Sequence, residues 1–356
     1  MAKKAEQNQG YRTFKTELSG GTIRPLYLFW GEEDYLREYY LGKLREACLA
    51  GGLEEFNYFR LDGKAADAVS ISEAVEALPV FAERKFVEVR DFDFYKAAAS
   101  ERDGIDVLLA DLPDYCCLVF VFSDPAFKPD GRMKIHRHFK EAGLSVEFGK
   151  QEQSDLLAWI RRRCQALDKD IDRQTSEYLI FLCGSLMTGL AGEIEKIAAY
   201  AKGETITRGD IDAVGTPVLD AVVWRFTDAL GERNLDGAAS IMGELLLMRE
   251  SPILILAATG KKLRQLLSAR LAMDSGRGEA RYLQKLWGMG HEYPAKLLLG
   301  AARRFSLDWC KEAVLSAAKA DLEMKSTGRG GEEILTEFLI ALSMRDLTMG
   351  QGRQYG

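Results

Sequence analysis

The chain has 356 residues, of which 47% are hydrophobic and 29% are charged, and its formal net charge is -6. A chain of this length and apolar content exceeds one ordinary hydrophobic core, so we expect two or three domains and exclude bulk disorder. The acidic balance excludes a protein that binds nucleic acid through its overall charge, although a local basic patch stays possible.

The cysteines and the N-terminal segment indicate the compartment. None of the six cysteines forms a Cys-x-x-Cys pair, and several, such as Cys116 and Cys117, lie in apolar runs. The six are Cys48, Cys116, Cys117, Cys164, Cys183 and Cys310. Buried free thiols in a reducing compartment are the expected state. The segment MAKKAEQNQGYRTFKTELSGG lacks the apolar stretch of a signal peptide. No apolar run approaches the length of a membrane span, so we expect a cytoplasmic protein without a membrane partner.

The first third of the chain alternates short apolar runs with helix-like segments. The apolar runs that have the composition of strands are residues 25–30, 56–61, 86–90, 115–122 and 144–148. The run YCCLVFVF is almost continuously apolar, which suits a strand that is buried on both faces of a parallel sheet. This alternation predicts a doubly wound α/β domain over residues 1–149.

After about residue 150 the strand pattern stops. Helical periodicity at residues 156–167, 173–183, 186–201 and 208–214 predicts a small helical domain over residues 150–214. Thr207 has the position of a helix N-cap, with Asp210 at N3. A larger helical domain is predicted over residues 215–356, from the patterns at residues 218–230, 235–248, 252–273, 294–304, 307–324 and 332–347. The expected fold class is therefore multidomain, α/β followed by all-α.

The turn after the first strand bears on nucleotide chemistry. A P-loop, GxxxxGK[ST], would begin at Gly31, but no second Gly, Lys or Ser/Thr follows at the required spacing. Three carboxylates stand there instead, Glu32, Glu33 and Asp34, at a helix start where acidic side chains are favoured and phosphate is repelled. Asp124 follows the fourth strand without the acidic pair of a Walker B motif. An ordinary turn is favoured for it over a Mg²⁺ ligand.

The histidines do not have the spacing of a metal site. His136 and His138 are two residues apart on a predicted helix, so they point to different faces, and the basic residues around them favour a solvated face. No HExxH, GxSxG or Cys/His zinc spacing occurs. We expect no metal ion, no cofactor and no intrinsic catalysis.

Four stretches in order resemble one known family. PLYLFWGEEDYLREYYLGKLR is similar to an opening strand, a Gly-Glu-x-x-Leu turn and a first helix, and ISEAVEALPVFAERKFVEVRDF to a short helix, a Leu-Pro-x-Phe turn and a strand. The third stretch runs from Trp159 to GLAGEIEKIAAYAKGETITRGDI, and the fourth includes WRFTDALGERNLDGAASIMGELL, SPILILAATGKKLRQLL and DLEMK. Over about residues 25–347 the chain resembles the delta subunit family of the bacterial DNA polymerase III clamp loader. We find no counterpart in the family for the N-terminal 20 residues.

The resemblance implies both a fold and a function. The fold is an AAA+-like α/β domain without a P-loop, a small helical lid domain and a C-terminal helical collar domain for oligomerisation. The implied function is to bind and open the ring-shaped beta sliding clamp, so that the ATP-driven loader places it on primed DNA. The implied partners are the clamp, primed DNA in the assembled complex, and the ATPase and delta-prime subunits through the collar. Two alternatives stay open, a nucleotide-binding AAA+ ATPase and a delta-prime-like scaffold.

The resemblance also implies a clamp-binding element, at Leu78, Pro79, Val80 and Phe81. In the family, two apolar side chains at the end of the short helix enter a pocket on the clamp, and by position these are Val80 and Phe81. From the residues alone, packing in the core beneath the strand at Phe86 is the better interpretation. With the resemblance, the anchor is favoured for Phe81, whereas Leu78 fits the core in either case.

A basic stretch lies in the predicted collar. Residues 261–304 contain ten Lys or Arg against three Asp or Glu, a local balance of +7 that is opposite in sign to the whole chain. A solvated helix face is the simplest interpretation. Contact with primer–template DNA or with an acidic neighbouring subunit is the alternative, for which the candidates are Lys261, Lys262, Arg264, Arg303 and Arg304.

Overall fold

The computed structural model describes residues 2–63, 66–289 and 292–351, of which residues 2–8 and 345–351 are described by their backbone alone. The chain divides into two compact units, Met1–Gln151 with Leu186–Thr188, and Glu152–Ser185 with Gly189–Gly356. The predicted boundary after residue 149 lies close to the end of the first unit's main segment. The predicted boundary after residue 214 lies inside the second unit, so a lid separate from the collar stays a prediction.

A parallel sheet forms the centre of the first unit. Its strands are β1 (Leu26–Trp30), β2 (Tyr58–Asp62), β3 (Lys85–Arg90), β4 (Cys116–Val121) and β5 (Gly143–Glu147). The strand order is β2-β3-β4-β1-β5, and every pairing is parallel. β4 is buried along its whole length, as its continuous apolar run predicts. The carboxyl ends of β1 and β4 therefore lie side by side.

Helices cover both faces of this sheet. They are α1 (Ala2–Ser19), α2 (Asp34–Cys48), α3 (Glu54–Asn57), α4 (Ala68–Glu76), α5 (Ala99–Ala110) and α6 (His136–Glu141). Alternate side chains of β1 divide between two cores, because successive residues of a strand point to opposite faces. Leu26 and Leu28 pack in the core of α4, α5 and α6, and Tyr27 and Phe29 pack in the core of α1 and α2.

The N-terminal helix α1 was not predicted from the sequence. Its Phe14 is fully buried and makes edge-to-face contacts with the rings of Tyr27 and Phe29. Gly10 faces β5 so closely that a Cβ there would collide with the carbonyl oxygen of Ser145. The helix is thus an integral part of one face of the α/β unit.

The rest of the described chain is helical apart from one isolated bridge. The helices are α7 (Gln153–Gln165), α8 (Arg173–Cys183), α9 (Met187–Tyr200), α10 (Arg208–Val214), α11 (Leu219–Gly231), α12 (Leu235–Leu247), α13 (Pro252–Asp274), α14 (Ala280–Trp287), α15 (Glu292–Ala302), α16 (Leu307–Ser326) and α17 (Gly331–Gln351). The predicted Thr207–Asp210 capping box is present at the start of α10. Helix α14 was not predicted. The fold class, α/β followed by all-α, is confirmed.

The six cysteines are buried free thiols, as predicted. Within the residues that the structure describes, no single helix is long and apolar enough to span a membrane, whereas α8 and α9 meet the length and composition criteria only as a bent pair.

Candidate functional site

The predicted anchor residues lie on the loop that joins α4 to β3, residues 77–84, which we call the anchor loop. Phe81 exposes 90% of its surface, Leu78 exposes 74% and Val80 exposes 39%, whereas Pro79 is half-buried. Leu78 and Phe81 are therefore not part of the core beneath β3, which corrects the expectation that Leu78 fits the core in either case. Neighbouring exposed apolar side chains of this size are typical of a partner-binding surface.

The local sequence explains why the chain leaves the helix here. Helix α4 begins with a capping box between Asp67 and Ser70, and its buried face includes Ile71 and Val75. The residue before a proline disfavours the helical conformation, so the helix ends ahead of Pro79. The apolar residues that follow the helix therefore do not continue its buried face.

A buried amide holds the middle of the anchor loop. Asn57, at the end of α3, has no exposed surface. Its Oδ1 accepts a hydrogen bond from the backbone N–H of Val80 at 2.7 Å, and its Nδ2 donates to the carbonyl oxygen of Val80 at 2.9 Å. The same Nδ2 donates to the carbonyl oxygen of Leu53 at 2.9 Å. One side chain thus satisfies both main-chain groups of the residue that precedes Phe81.

Two further side chains hold the start of the loop, where the last carbonyls of α4 have no partner within the helix. The Nζ of Lys85 donates to the carbonyl oxygen of Ala77 at 2.7 Å, and the hydroxyl of Tyr115 donates to that of Glu76 at 2.9 Å. Lys85 is fully buried, with its Nζ 4.5 Å from the ring centroid of Phe59. Burial lowers the pKa of Lys85 below its ordinary value.

The backbone at Phe81 has a left-handed conformation, with φ at +48°. Bulky residues rarely adopt this region, and such conformations persist where surrounding contacts enforce them, often at binding sites. The hydrogen bonds to Val80 on one side and the strand that begins at Lys85 on the other provide those contacts. The most exposed apolar side chain of the loop therefore follows directly on the residue that the buried amide holds.

The turn at the position of a P-loop is closed by internal contacts. Gly31 has φ at +123°, and a Cβ there would lie 2.5 Å from the carbonyl oxygen of Phe148, so the close approach of that strand end requires glycine. The same carbonyl accepts the backbone N–H of Glu33 at 2.8 Å. Buried Arg37 donates to the carbonyl oxygen of Gly31 at 2.9 Å and pairs with Asp34.

The three carboxylates of this turn have different environments, although the sequence predicts one role for them. Glu32 pairs with Lys150 at 2.9 Å on the surface. Glu33 has no exposed surface, and its carboxylate accepts the backbone N–H of Met187, which belongs to the same unit, at 3.1 and 3.3 Å. Burial raises the pKa of Glu33 to about 7, although this hydrogen bond acts in the opposite direction.

Asp124 forms the turn that the sequence predicts, since its Oδ1 accepts the backbone N–H of Ala126 at 2.8 Å. The histidines correct an expectation, because both are buried and not on a solvated face. The Nδ1 of His136 lies 2.7 Å from the hydroxyl of Tyr95, and the Nε2 of His138 lies 2.9 Å from Asp106. Among the described residues, no group of three or more His, Cys, Asp or Glu is placed to hold a metal ion.

The basic stretch of the second unit is only partly available to a partner. Lys262 is buried, and its Nζ lies over the ring of Trp224, 2.7 Å from the centroid, so a DNA contact by Lys262 is not supported. The contact between Lys262 and Trp224 could not be predicted from the sequence, because Trp224 lies on a different helix. Lys261 pairs with Asp220 at 2.9 Å. Arg304 pairs with Asp228 and, at 3.2 Å, with Glu232.

Arg264 and Arg303 are exposed. A DNA or subunit contact stays a prediction for them and for the two paired residues, Lys261 and Arg304. The acids of α11 that pair with this stretch offset part of its positive charge.

Asn57 and Lys85 were not identified from the sequence. A lysine that opens the apolar strand KFVEVR was a usable signal, because a buried lysine needs a partner. Asn57 carried no such signal, since it lies beside the strand pattern FNYFRL and its partner is 23 residues away.

Comparisons with known proteins agree with this arrangement. A family model described as "DNA polymerase III, delta subunit" matches residues 27–148, and one described as "DNA polymerase III delta subunit, C-terminal domain" matches residues 220–342. DNA polymerase III subunit delta of Bacillus subtilis (strain 168) is 24% identical over 338 residues, which cover 92% of this chain and 96% of the relative. The same subunit of Escherichia coli (strain K12) is 21% identical over 315 residues, 87% and 89% of the two chains.

A solved structure gives the same result for the fold. The Bacillus subtilis DNA clamp loader delta protein aligns with a TM-score of 0.50 at 20% identity, over 93% of this chain and 99% of that one. The predicted fold class, α/β followed by helical structure, agrees with this match. The two family models together span most of the chain, which therefore belongs to the DNA polymerase III delta subunit family of clamp-loader subunits.

Proposed function

We propose that this clamp-loader subunit binds the beta sliding clamp through Val80 and Phe81 and opens the ring, so that the loader can place it on primed DNA. The observation that carries the proposal is the 90% exposure of Phe81 on a loop whose backbone is fixed by buried side chains. An exposed aromatic ring on a rigid support is a suitable anchor for a pocket, because little conformational entropy is lost on binding.

In this proposal the anchor supplies a substantial part of the energy of clamp binding, as a few buried apolar side chains often do at an interface. Burying one Phe and one Val side chain contributes about 3–6 kcal/mol before the costs of association. Leu78 adds apolar surface beside them. A subunit that fits the open form of the ring better than the closed form shifts that equilibrium by the difference in affinity, without hydrolysis of its own.

In this proposal, the energy of ATP hydrolysis is supplied by partner subunits. In this chain the N–H of Glu33 is already bonded to Phe148, and a buried carboxylate stands in the turn where a P-loop would bind phosphate. We therefore assign ATP hydrolysis to the ATPase subunits, which join this chain and delta-prime through the helical collar.

The proposal is tested with purified beta clamp and the full chain. A Val80→Ala/Phe81→Ala double variant is expected to lose at least about tenfold in clamp affinity, since two anchoring side chains are removed. The measurement is retention of the clamp on immobilised protein and its Kd in solution. Val107→Ala is the matched control, because Val107 is 74% exposed on α5 and belongs to the same unit.

Equal retention by the wild type and the double variant would remove the anchor assignment. Absence of clamp binding by the wild type would favour the scaffold alternative, which needs no direct contact with the clamp.

The basic stretch gives a separate prediction in the assembled loader. Arg303→Gln with Arg304→Gln is expected to reduce the slope of log K against log salt for primed-DNA binding by about 1–2, if each arginine neutralises one phosphate. The control pair is Lys96→Gln with Arg132→Gln, which changes the net charge equally at exposed positions of the first unit. An unchanged slope would exclude the two arginines from the DNA contacts.

A further inference from the structure

We propose that Asn57 is a positioning residue for clamp binding, which holds Val80 and Phe81 in the conformation that the clamp recognises, with Lys85 as a second support. This inference rests on the proposed function of the anchor loop. Neither residue is exposed, so neither is expected to touch the clamp itself. Their effect on binding would pass through the shape of the loop.

The side-chain amide of Asn57 holds the backbone of Val80 through two hydrogen bonds, which we call the latch. Its amide offers one acceptor and one donor side by side, and both are used on the same residue, Val80. Two hydrogen bonds to one residue fix the orientation of its peptide groups, as a neighbouring strand would. The third bond, to the carbonyl oxygen of Leu53, fixes the amide in turn.

The conformation of Phe81 makes such a latch necessary. A phenylalanine with φ at +48° is disfavoured in a free loop, so the anchor needs external contacts to stay in this state. If the latch is removed, the loop spends more time in other conformations. The apparent affinity for the clamp then falls in proportion to the fraction of loops that remain competent.

Lys85 supports the loop from its other end. Its ammonium reaches the carbonyl oxygen of Ala77, the first residue after α4, from within the core of the unit. The loop is therefore held at two points ahead of Phe81, one at Ala77 and one at Val80. Leu78 and Pro79 bridge these points, so the loop has little freedom before Phe81.

The experiment is a double-mutant cycle in the full chain, with clamp Kd as the readout. Asn57→Ala and Asn57→Asp are each expected to weaken clamp binding about tenfold, because the Asp variant keeps the acceptor for Val80 but loses the donor. In a Phe81→Ala background, the same changes are expected to cause a smaller further loss, because only Val80 of the anchor remains. Lys85→Met is expected to act in the same direction with a smaller effect.

Matched controls separate positioning from general stability. Asn234 also accepts a backbone N–H with its side chain, and Lys169 also donates from its Nζ to backbone carbonyl oxygens, in its case two; both lie in the second unit. Asn234→Ala and Lys169→Met are expected to lower the thermal midpoint but to leave clamp Kd unchanged. The Asp variant keeps the test usable if Asn57→Ala does not fold.

Two outcomes would overturn the inference and leave the proposed function standing. One is loss of binding in Phe81→Ala with an unchanged Kd in both Asn57 variants. The other is an equal loss from Asn57→Asp with and without Phe81, which would indicate a merely structural role. A wild type that does not bind the clamp would overturn the proposed function and this inference together.

Discussion

Replacing Lys262 with methionine is expected to raise the free energy of unfolding by about 1–4 kcal/mol at pH 7. The ammonium of Lys262 is buried, has no hydrogen-bond partner among the residues that the structure describes, and lies over the ring of Trp224. The interaction with the ring offsets only part of the cost of removing the amine from water. Methionine fills a similar volume without a charge. The measurement is urea denaturation followed by circular dichroism.

The gain should depend on pH in a defined direction. Burial lowers the pKa of Lys262 well below its ordinary value of 10.5. A base with a depressed pKa contributes stability above the unfolded-state pKa, and this is lost as the pH falls through the folded-state pKa. The advantage of the Met variant should therefore be largest at low pH and shrink towards about pH 10.

The neighbouring residue provides the control. Lys261 is exposed and pairs with Asp220 on the surface, so Lys261→Met is expected to change stability by less than about 0.5 kcal/mol. A destabilised Lys262→Met variant, or a gain that does not vary with pH, would contradict this account of the buried amine.

Ionisation of Glu33 at neutral and higher pH is expected to lower the free energy of unfolding of the first unit by about 3 kcal/mol. Replacing Glu33 with glutamine is expected to remove this loss. Burial raises the pKa of Glu33 from 4.5 to about 7. A carboxyl group with a raised pKa contributes stability below pH 4.5, and that stability is lost as the pH rises through 7. Glutamine stays neutral, and its carbonyl oxygen can still accept the N–H of Met187.

The measurement compares the free energy of unfolding at pH 5 and pH 8. The wild type should lose more stability over this interval than Glu33→Gln, by about 2.5 kcal/mol, because part of the effect already occurs below pH 5. Glu32→Gln is the control, because Glu32 is half-exposed and paired with Lys150. Equal pH dependence in the wild type and Glu33→Gln would show that Glu33 does not titrate in this interval.

Local patterns predicted much of the fold. The apolar run at residues 115–122 gave the buried strand β4, and Thr207 with Asp210 gave the start of α10. Both depend on the nearest residues along the chain. The N-terminal helix was not predicted, because its overall polarity hides Phe14, which is buried against strands that follow later in the chain.

The candidate site was predictable only in part. Resemblance predicted an anchor at Val80 and Phe81, but the exposure of these side chains depends on where the loop lies relative to the core. The roles of Asn57 and Lys262 depend on partners on other elements, Val80 and Trp224. Polar residues that are buried against distant partners leave no periodic signal in a sequence, and for the same reason His136 and His138 were expected on the surface.

The closed turn after β1 limits which substitutions can create a phosphate-binding loop at this position. A phosphate-binding loop needs free backbone N–H groups, yet here that of Glu33 is bonded to Phe148 and the carbonyl of Gly31 is bonded to Arg37. Introducing a lysine would leave the buried carboxylate of Glu33 and both of these hydrogen bonds in place. Several substitutions would be required together, because each one alone would not free the backbone N–H groups for phosphate. No single substitution at this turn is therefore expected to create a phosphate-binding loop.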